Sequence, residues 1–465
     1  MLRPGTGWRA GTAAALVLLM APHLGVASPG AEATGGERRI DLRELLAIAA
    51  DRYPEVDIAE AEKRGAEALE SQARWTRWTP KLTGGAVAGL VPAARGNILY
   101  SPDSPRDLND LGPFWRFRLD MSQPFLTWGK LGAAQHAAEN LVASKQSKVE
   151  SKRNTGRSLA SKAYFEFLLA QDRLKLISEV KLKLDELVGR LQNPPPGEPE
   201  TDQMDLYKAR SYEFKIARLE AGAARELEVA SAGLNELVGL PAGGVVRPRA
   251  QRLEPIEVPP PDLDKGISEA LTTRSDIKEV TFAAEAQRLW AHSVSRDRYP
   301  TFGLEMRFEY GEARNRDKQD NPFVYEPFNV RTIAWALAGK WDLNFLQSGA
   351  RTEKELAYAA ELRAQREALS TRSEIEVVQA HAELIEAQKL LETSRKELST
   401  TANWARVAED NYGLGTSNID DLVAAYGAAI ESRASQLEAI RNLNIAVIAW
   451  RLALGRAPLL EGESP

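Results

Sequence analysis

A chain of 465 residues has room for two or three ordinary domains. An apolar fraction of 43% with interspersed charges excludes a disordered chain, and a net charge of −5 without a basic stripe argues against nucleic-acid binding. With no cysteine, disulfides, thiolate metal sites and a lipid anchor built on an N-terminal cysteine are excluded.

Arg3 and Arg9 give a positive region ahead of a short apolar run at 13–21, and Gly25-Val26-Ala27 offers a small-x-small cleavage site, which predicts a signal peptide over 1–27. That run is too short to span a bilayer, and no later run reaches the ~18 apolar residues of a membrane helix. If the mature protein crosses a membrane, it does so with strands.

Residues 42–79 read as a helix, with Trp75 and Trp78 near its end. A glycine-rich alternation follows, with Leu82, Ala86, Ala88 and Leu90 on one side, and predicts a strand near 81–91. A polar connection over 91–113 leads to a clean alternation in which Trp115, Phe117, Leu119 and Met121 oppose Arg116, Arg118, Asp120 and Ser122, a strand near 114–125. Residues 132–191 are rich in Ala, Glu, Leu, Lys and Arg and free of proline. A helix of about 60 residues would run roughly 90 Å. A proline-rich tip at 193–201 leads to a helix at 204–238, where Leu227, Ala230, Leu234 and Leu237 have the 3-4-3 spacing of a coiled-coil seam.

The Pro/Gly-rich stretch 241–262 reads as a linker running outside the helices, and the pattern then returns. A helix at 263–298 and Tyr299 precede a strand near 300–311, where Phe302, Leu304, Met306, Phe308 and Tyr310 alternate with polar residues. A second long connection, 311–330, leads to a strand near 332–345 carrying Ile333, Trp335, Leu337, Trp341 and Leu343 on one face. A helix at 350–411, a turn, a helix at 419–454 with a seam at Ile440, Leu443, Val447, Trp450 and Leu454, and a tail at 456–465 complete the chain. Pro80 and Pro300, like Gly129 and Gly349, lie 220 residues apart, so 28–240 and 263–455 read as two repeats. The expected class is mainly α with a small antiparallel β part.

Each alternating run is about ten residues long, enough to cross an outer membrane at a tilt. A half-buried soluble sheet alternates in the same way. The large aromatic faces favour the membrane, as do Trp75, Trp78, Trp128 and Tyr299, which sit where an interfacial belt would lie. Four strands cannot close, and an open sheet in lipid leaves edge N–H and C=O groups unpaired at several kcal/mol each. Copies of the chain must therefore complete the wall, three giving twelve strands and two giving eight.

The run Gln123-Pro124-Phe125-Leu126-Thr127-Trp128-Gly129-Lys130 is similar to the second-strand ending of the TolC-like outer membrane efflux family, the outer membrane factors. Tyr412-Gly413-Leu414-Gly415-Thr416-Ser417-Asn418-Ile419-Asp420-Asp421-Leu422 is similar to that family's turn between long and short helices. The resemblance covers about 40–460 and implies a homotrimer with a twelve-stranded β-barrel and a long periplasmic α-barrel. It implies an outer-membrane exit duct of a tripartite efflux or type I secretion system, docked to a periplasmic adaptor (membrane fusion) protein and an inner-membrane pump. Carried over, it makes Asp421 and Asp205 part of a carboxylate ring at the periplasmic mouth and Tyr412 part of a latch. Gly413, Gly415 and Thr416 become the tip turn where adaptors dock. The chain departs from the family's latch at Ser417, where an arginine is expected, and at Ala424, where a second aspartate is expected. Asp421 also reads as an ordinary first-turn acid after an Asn418 N-cap.

No enzyme is expected. His23, His136, His292 and His381 are scattered, and no phosphate-binding loop or nucleophile elbow occurs, so no catalytic, cofactor or metal site is assigned. The alternative reading is a periplasmic coiled-coil scaffold, or an adaptor-like protein with a soluble β-domain.

Overall fold

The computed structural model describes residues 37–95, 106–193, 203–239, 245–318 and 326–457. The expected signal peptide, most of the first tip at 193–201 and most of the tail lie outside these residues. The chain is predominantly helical with a small antiparallel sheet. Helix α1 (Leu42–Arg52), α2 (Pro54–Trp78), strand β2 (Lys81–Ala94), β3 (Arg106–Leu126), α3 (Lys130–Gln192) and α4 (Gln203–Val238) come first. The same order follows with α5 (Leu263–Thr273), α6 (Ser275–Ser295), β5 (Thr301–Ala313), β6 (Val330–Lys340), α7 (Phe345–Gly413) and α8 (Ile419–Ala453). Two four-residue strands, β1 (Glu37–Ile40) and β4 (Val245–Pro248), pair in parallel.

The long helices are the frame. At 63 and 69 residues, α3 and α7 extend for roughly 95–105 Å. Helix α3 packs against α2 and α4 on one side and α6 and α8 on the other, and α7 packs against α6 and α8. This order leaves α2 and α4 at one flank of the protomer and α7 at the other.

Neither helix expected at 42–79 nor that at 263–298 is continuous. The first breaks at Tyr53, because Pro54 lacks the N–H that a continuing helix needs and takes the N1 position of α2 instead. The second breaks at Arg274 without a proline. There the guanidinium donates to both Asp276 oxygens, at 3.0 and 2.7 Å, and pairs with Glu376 of α7 at 2.8 Å.

The main core lies midway along the long helices. It joins Leu45 and Leu46 of α1, Tyr164, Phe165, Phe167, Leu168 and Leu169 of α3, Leu234 of α4, Val377 and Leu384 of α7, and Leu443, Val447 and Trp450 of α8. Both expected seams belong to it. The stretch expected to be an external linker also contributes, because Val246, Leu253 and Ile256 are buried in this core. Its few apolar residues are anchors, and β4 and the segment after it strap the middle of the bundle.

Candidate functional site

The four-stranded sheet runs β2-β3-β5-β6, antiparallel throughout. Its register aligns the alternation of every strand. Leu82, Ala86 and Ala88 pair with Met121, Phe117 and Trp115. Phe117, Leu119 and Met121 pair with Tyr310, Phe308 and Met306, and Met306 and Phe308 pair with Trp335 and Ile333. One face is therefore apolar across all four strands, since side chains in register share a side. Trp335 is 76% exposed and Leu337 75%, so the protomer itself does not cover this face.

The opposite face carries charge. Arg118 donates to Glu309 at 3.1 Å, Arg116 pairs with the same carboxylate at 3.4 Å, and Arg307 donates to Asp120 at 2.7 Å. These pairs bridge β3 and β5, whose side chains meet across the ladder.

Strand β6 ends at Lys340, short of the expected 345. Asp342 stops it, its side chain accepting from the Asn344 N–H at 3.1 Å in a local turn that replaces the ladder. Trp341 consequently leaves the strand face and donates its indole N–H to Arg298 O at 3.0 Å. Among its described residues, the connection expected over 91–113 is mostly strand, because pairing continues through a bulge at Pro92/Ala93 after the alternation has faded.

The aromatic residues singled out in sequence gather where sheet meets helices. Trp75 and Trp78 close α2 and are mostly exposed, with Arg77 stacked 5.0 Å from the Trp78 ring. Trp128 adopts a left-handed backbone (φ 54), which costs a non-glycine residue strain. Its indole N–H donates to Pro300 O at 2.7 Å, and its ring lies 5.8 Å from Tyr299. Trp341 and Phe345 meet edge to face, 5.9 Å apart, at the same junction.

At the opposite end of the long helices, α7 reverses into α8. Gly415 (φ 71) donates to Tyr412 O at 3.0 Å and Thr416 N–H donates to Asn411 O at 2.9 Å, the double bond of a Schellman termination. Thr416 Oγ1 reinforces it by donating to the same Asn411 carbonyl. Gly413 is the last residue of α7, with open space where a Cβ would stand. Asn418 caps α8 and its Oδ1 accepts from the Asp421 N–H at 2.9 Å. Asp421 is exposed in the first turn of α8, and Asp205 is half-buried in the first turn of α4. Their neighbour Asp420 pairs with Lys208 of α4 at 2.6 Å, joining the two hairpins. Tyr412 packs within the chain, against the cluster of Val188, Leu191, Ala209 and Ile419 and against that of Ala405, Ala408, Leu422 and Ala425. Nearby, burial together with the Glu409 carboxylate pushes the Tyr426 phenol up.

No protein-family model matches the chain, and no curated protein matches it. Solved structures do. The outer-membrane channel OprN superposes with a TM-score of 0.70 at 18% identity, covering 90% of each chain. The Campylobacter jejuni CmeC outer membrane channel gives 0.69 at 13% identity over 89% of this chain and 85% of that one. The open Neisseria gonorrhoeae MtrE outer membrane channel gives 0.67 at 17% identity over 89% of each. This chain has the outer-membrane channel fold.

Within the channel fold, the structure brings the sequence-selected residues into two groups at opposite ends of α3 and α7. Trp75, Trp78, Trp128 and Tyr299 form the junction group. Tyr412, Gly413, Gly415, Thr416, Asp421 and Asp205 form the tip group. Sequence reasoning missed Lys208, and it placed Trp341 on the strand face rather than at the junction. A lysine at the sixth position of α4 carries no signal of an aspartate 212 positions away, whereas the Asp-x-Asn after Trp341 is a readable turn.

Proposed function

We propose that this chain is an outer-membrane exit duct assembled from three copies, each giving four strands to a twelve-stranded barrel and its helices to a periplasmic tube. The observation that carries the reading is the apolar face running in register through all four strands. Among the described residues β2 and β6 each keep one unpaired edge. Water satisfies such edges, but lipid does not, so an apolar face in a bilayer requires closure by neighbours. The flanks agree. Helix α7 exposes Ile375, Val378, Trp404 and Val407 on one side, and α2 and α4 expose Ile58, Leu69, Phe214 and Val229 on the other. These are the surfaces that would meet around a threefold ring.

On this reading the charged face lines the passage and the junction aromatics lie at the periplasmic membrane boundary. Residues 28–240 and 263–455 are two repeats joined by 241–262, and the tip group lies at the periplasmic mouth. Three copies of Asp421, with Asp205 nearby, would form a ring attractive to cations, and Gly413, Gly415 and Thr416 would face an adaptor. No nucleotide-binding loop is present in the sequence, so the driving energy would come from an inner-membrane pump.

The test is the mass and conductance of the mature protein. A detergent-requiring trimer that forms channels in planar bilayers is the expected result. A monomer soluble in plain buffer would instead support a periplasmic scaffold and end the duct reading.

A further inference from the structure

At the end of the sheet remote from the helices, the described residues that follow β5 and those that precede β6 lie over the charged face. Gly311 pairs with Arg116, and Gly112 lies four residues earlier on β3, so both belong to that face. A Cβ on Gly112 would stand 2.2 Å from Asn315 Cγ, and one on Gly311 would stand 2.6 Å from Phe328 O. Residues 315 and 328 therefore rest directly on the sheet, and the glycines make that approach possible. Arg116 donates to Pro327 O at 3.4 Å, and Phe328 packs edge-on against Phe114 at 5.1 Å. Asn315 Nδ2 donates to Val91 O of β2 at 2.9 Å. The segment thus crosses from β5 over β3 to β2, about 10 Å at the usual strand spacing.

A buried clasp fixes it there. Arg316 donates to both oxygens of Glu326, at 3.0 and 2.8 Å, with each side chain only 5% exposed. The same guanidinium donates to Pro92 O at 2.8 Å and lies 4.9 Å from the Phe328 ring. Asn329 Oδ1 accepts from the Ala313 N–H while its Nδ2 donates to Arg316 O, closing the base. A bidentate, desolvated pair with its remaining donor satisfied holds one geometry.

We propose that residues 313–318 and 326–330 form a fixed collar on the inner wall at the outer mouth, and that this collar sets the largest solute able to pass. The inference rests on the duct reading, which makes the charged face the wall of the passage. It places a size limit at the end opposite the carboxylate tip and selects compact solutes over bulky ones.

The chain has no cysteine, so Ser122→Cys puts a unique thiol on the charged face below the collar. Intact cells expressing this variant are treated with a small maleimide or with one carrying a long polyethylene glycol chain too large to enter the periplasm. The small reagent is expected to label. The large one is expected to label about tenfold more slowly, because the narrowest ring sets access. Adding Glu326→Ala, or Phe328→Ala should the first variant fail to assemble, is expected to remove that difference. Equal rates for both reagents without either second substitution would overturn the collar and leave the duct standing. So would continued exclusion of the large reagent in both assembled double variants. Failure of the small reagent to label any of them would show that the charged face is not a water-filled passage, and the duct reading itself would fall.

Discussion

Asn444 and Ile256 are 188 residues apart in sequence and joined in the interior, the Ile256 N–H donating to Asn444 Oδ1 at 2.8 Å. Asn444 Nδ2 donates in turn to Glu254 O at 2.8 Å, so one fully buried amide on α8 satisfies two backbone groups of the strap between the halves. Asn444→Ala strands both groups away from water. The expected loss is about 1–3 kcal/mol, read from guanidinium unfolding in detergent at fixed protein concentration, since assembly shifts apparent stability. An unchanged midpoint would mean that the strap is held elsewhere.

Two carboxylates facing the same lysines are expected to respond oppositely to pH. Hydrogen bonds from Lys145 and Lys148 hold Glu62 of α2 well below the ordinary 4.5, at about 2. Its contribution is complete above pH 4.5 and is lost as the pH falls through about 2. Glu62→Gln should therefore lower stability at neutral pH, with the deficit shrinking through that window. Burial pushes Glu279 of α6 up, against the opposing pull of Lys148 and Lys145. Its ionised form is a liability above its raised pKa, one that fades as the pH falls towards 4.5. Glu279→Gln should stabilise at neutral pH and become indistinguishable from the parent in acid. Thermal unfolding of both variants across a pH series checks the signs.

The tip glycines should separate folding from partner contact. Gly415 sits at φ 71, so Gly415→Ala is expected to cost about 1 kcal/mol. Gly413 is helical and uncrowded, so Gly413→Ala should be neutral or stabilise by about 0.5–1 kcal/mol. If Gly413→Ala folds normally yet abolishes export, the loss belongs to docking at the tip. If export is unaffected, Gly413 is not a contact.

Asp421 is both a first-turn acid and a proposed member of the mouth ring. Asp421→Asn keeps a side chain of the same shape and leaves the Asn418 cap in place. Single-channel recording is expected to show that divalent-cation block is lost while the assembled protein survives. Unchanged block would remove Asp421 from the constriction.

What the sequence made legible was whatever repeats with a local period. Trp115–Met121 and Phe302–Tyr310 announce a two-sided sheet, and the seams through Leu234 and Val447 announce packed helices. The break at position 274 shows no local breaker, because Arg274 is held there by Glu376, on a helix far along the chain, as well as by Asp276. Pro54 is a readable local stop, outweighed in the sequence by the helical composition on both sides of it. The four-residue pairing of β1 with β4 is too short to show a period. At the tip, Gly415 and Asn418 are local signals and Thr416 follows from them. The link from Lys208 to Asp420 is tertiary, and only coordinates reveal it.

Strand β1 has its partner far along the chain, with Arg249 donating to Arg39 O across 210 positions. Ile40 enters the core beside Val246. During synthesis strand β1 thus acquires its neighbour only after the 210 positions that separate Arg39 from Arg249 have been made. Until then β1 must wait unpaired while both arms of the first hairpin are laid down, and truncations before β4 should leave it exposed to proteases.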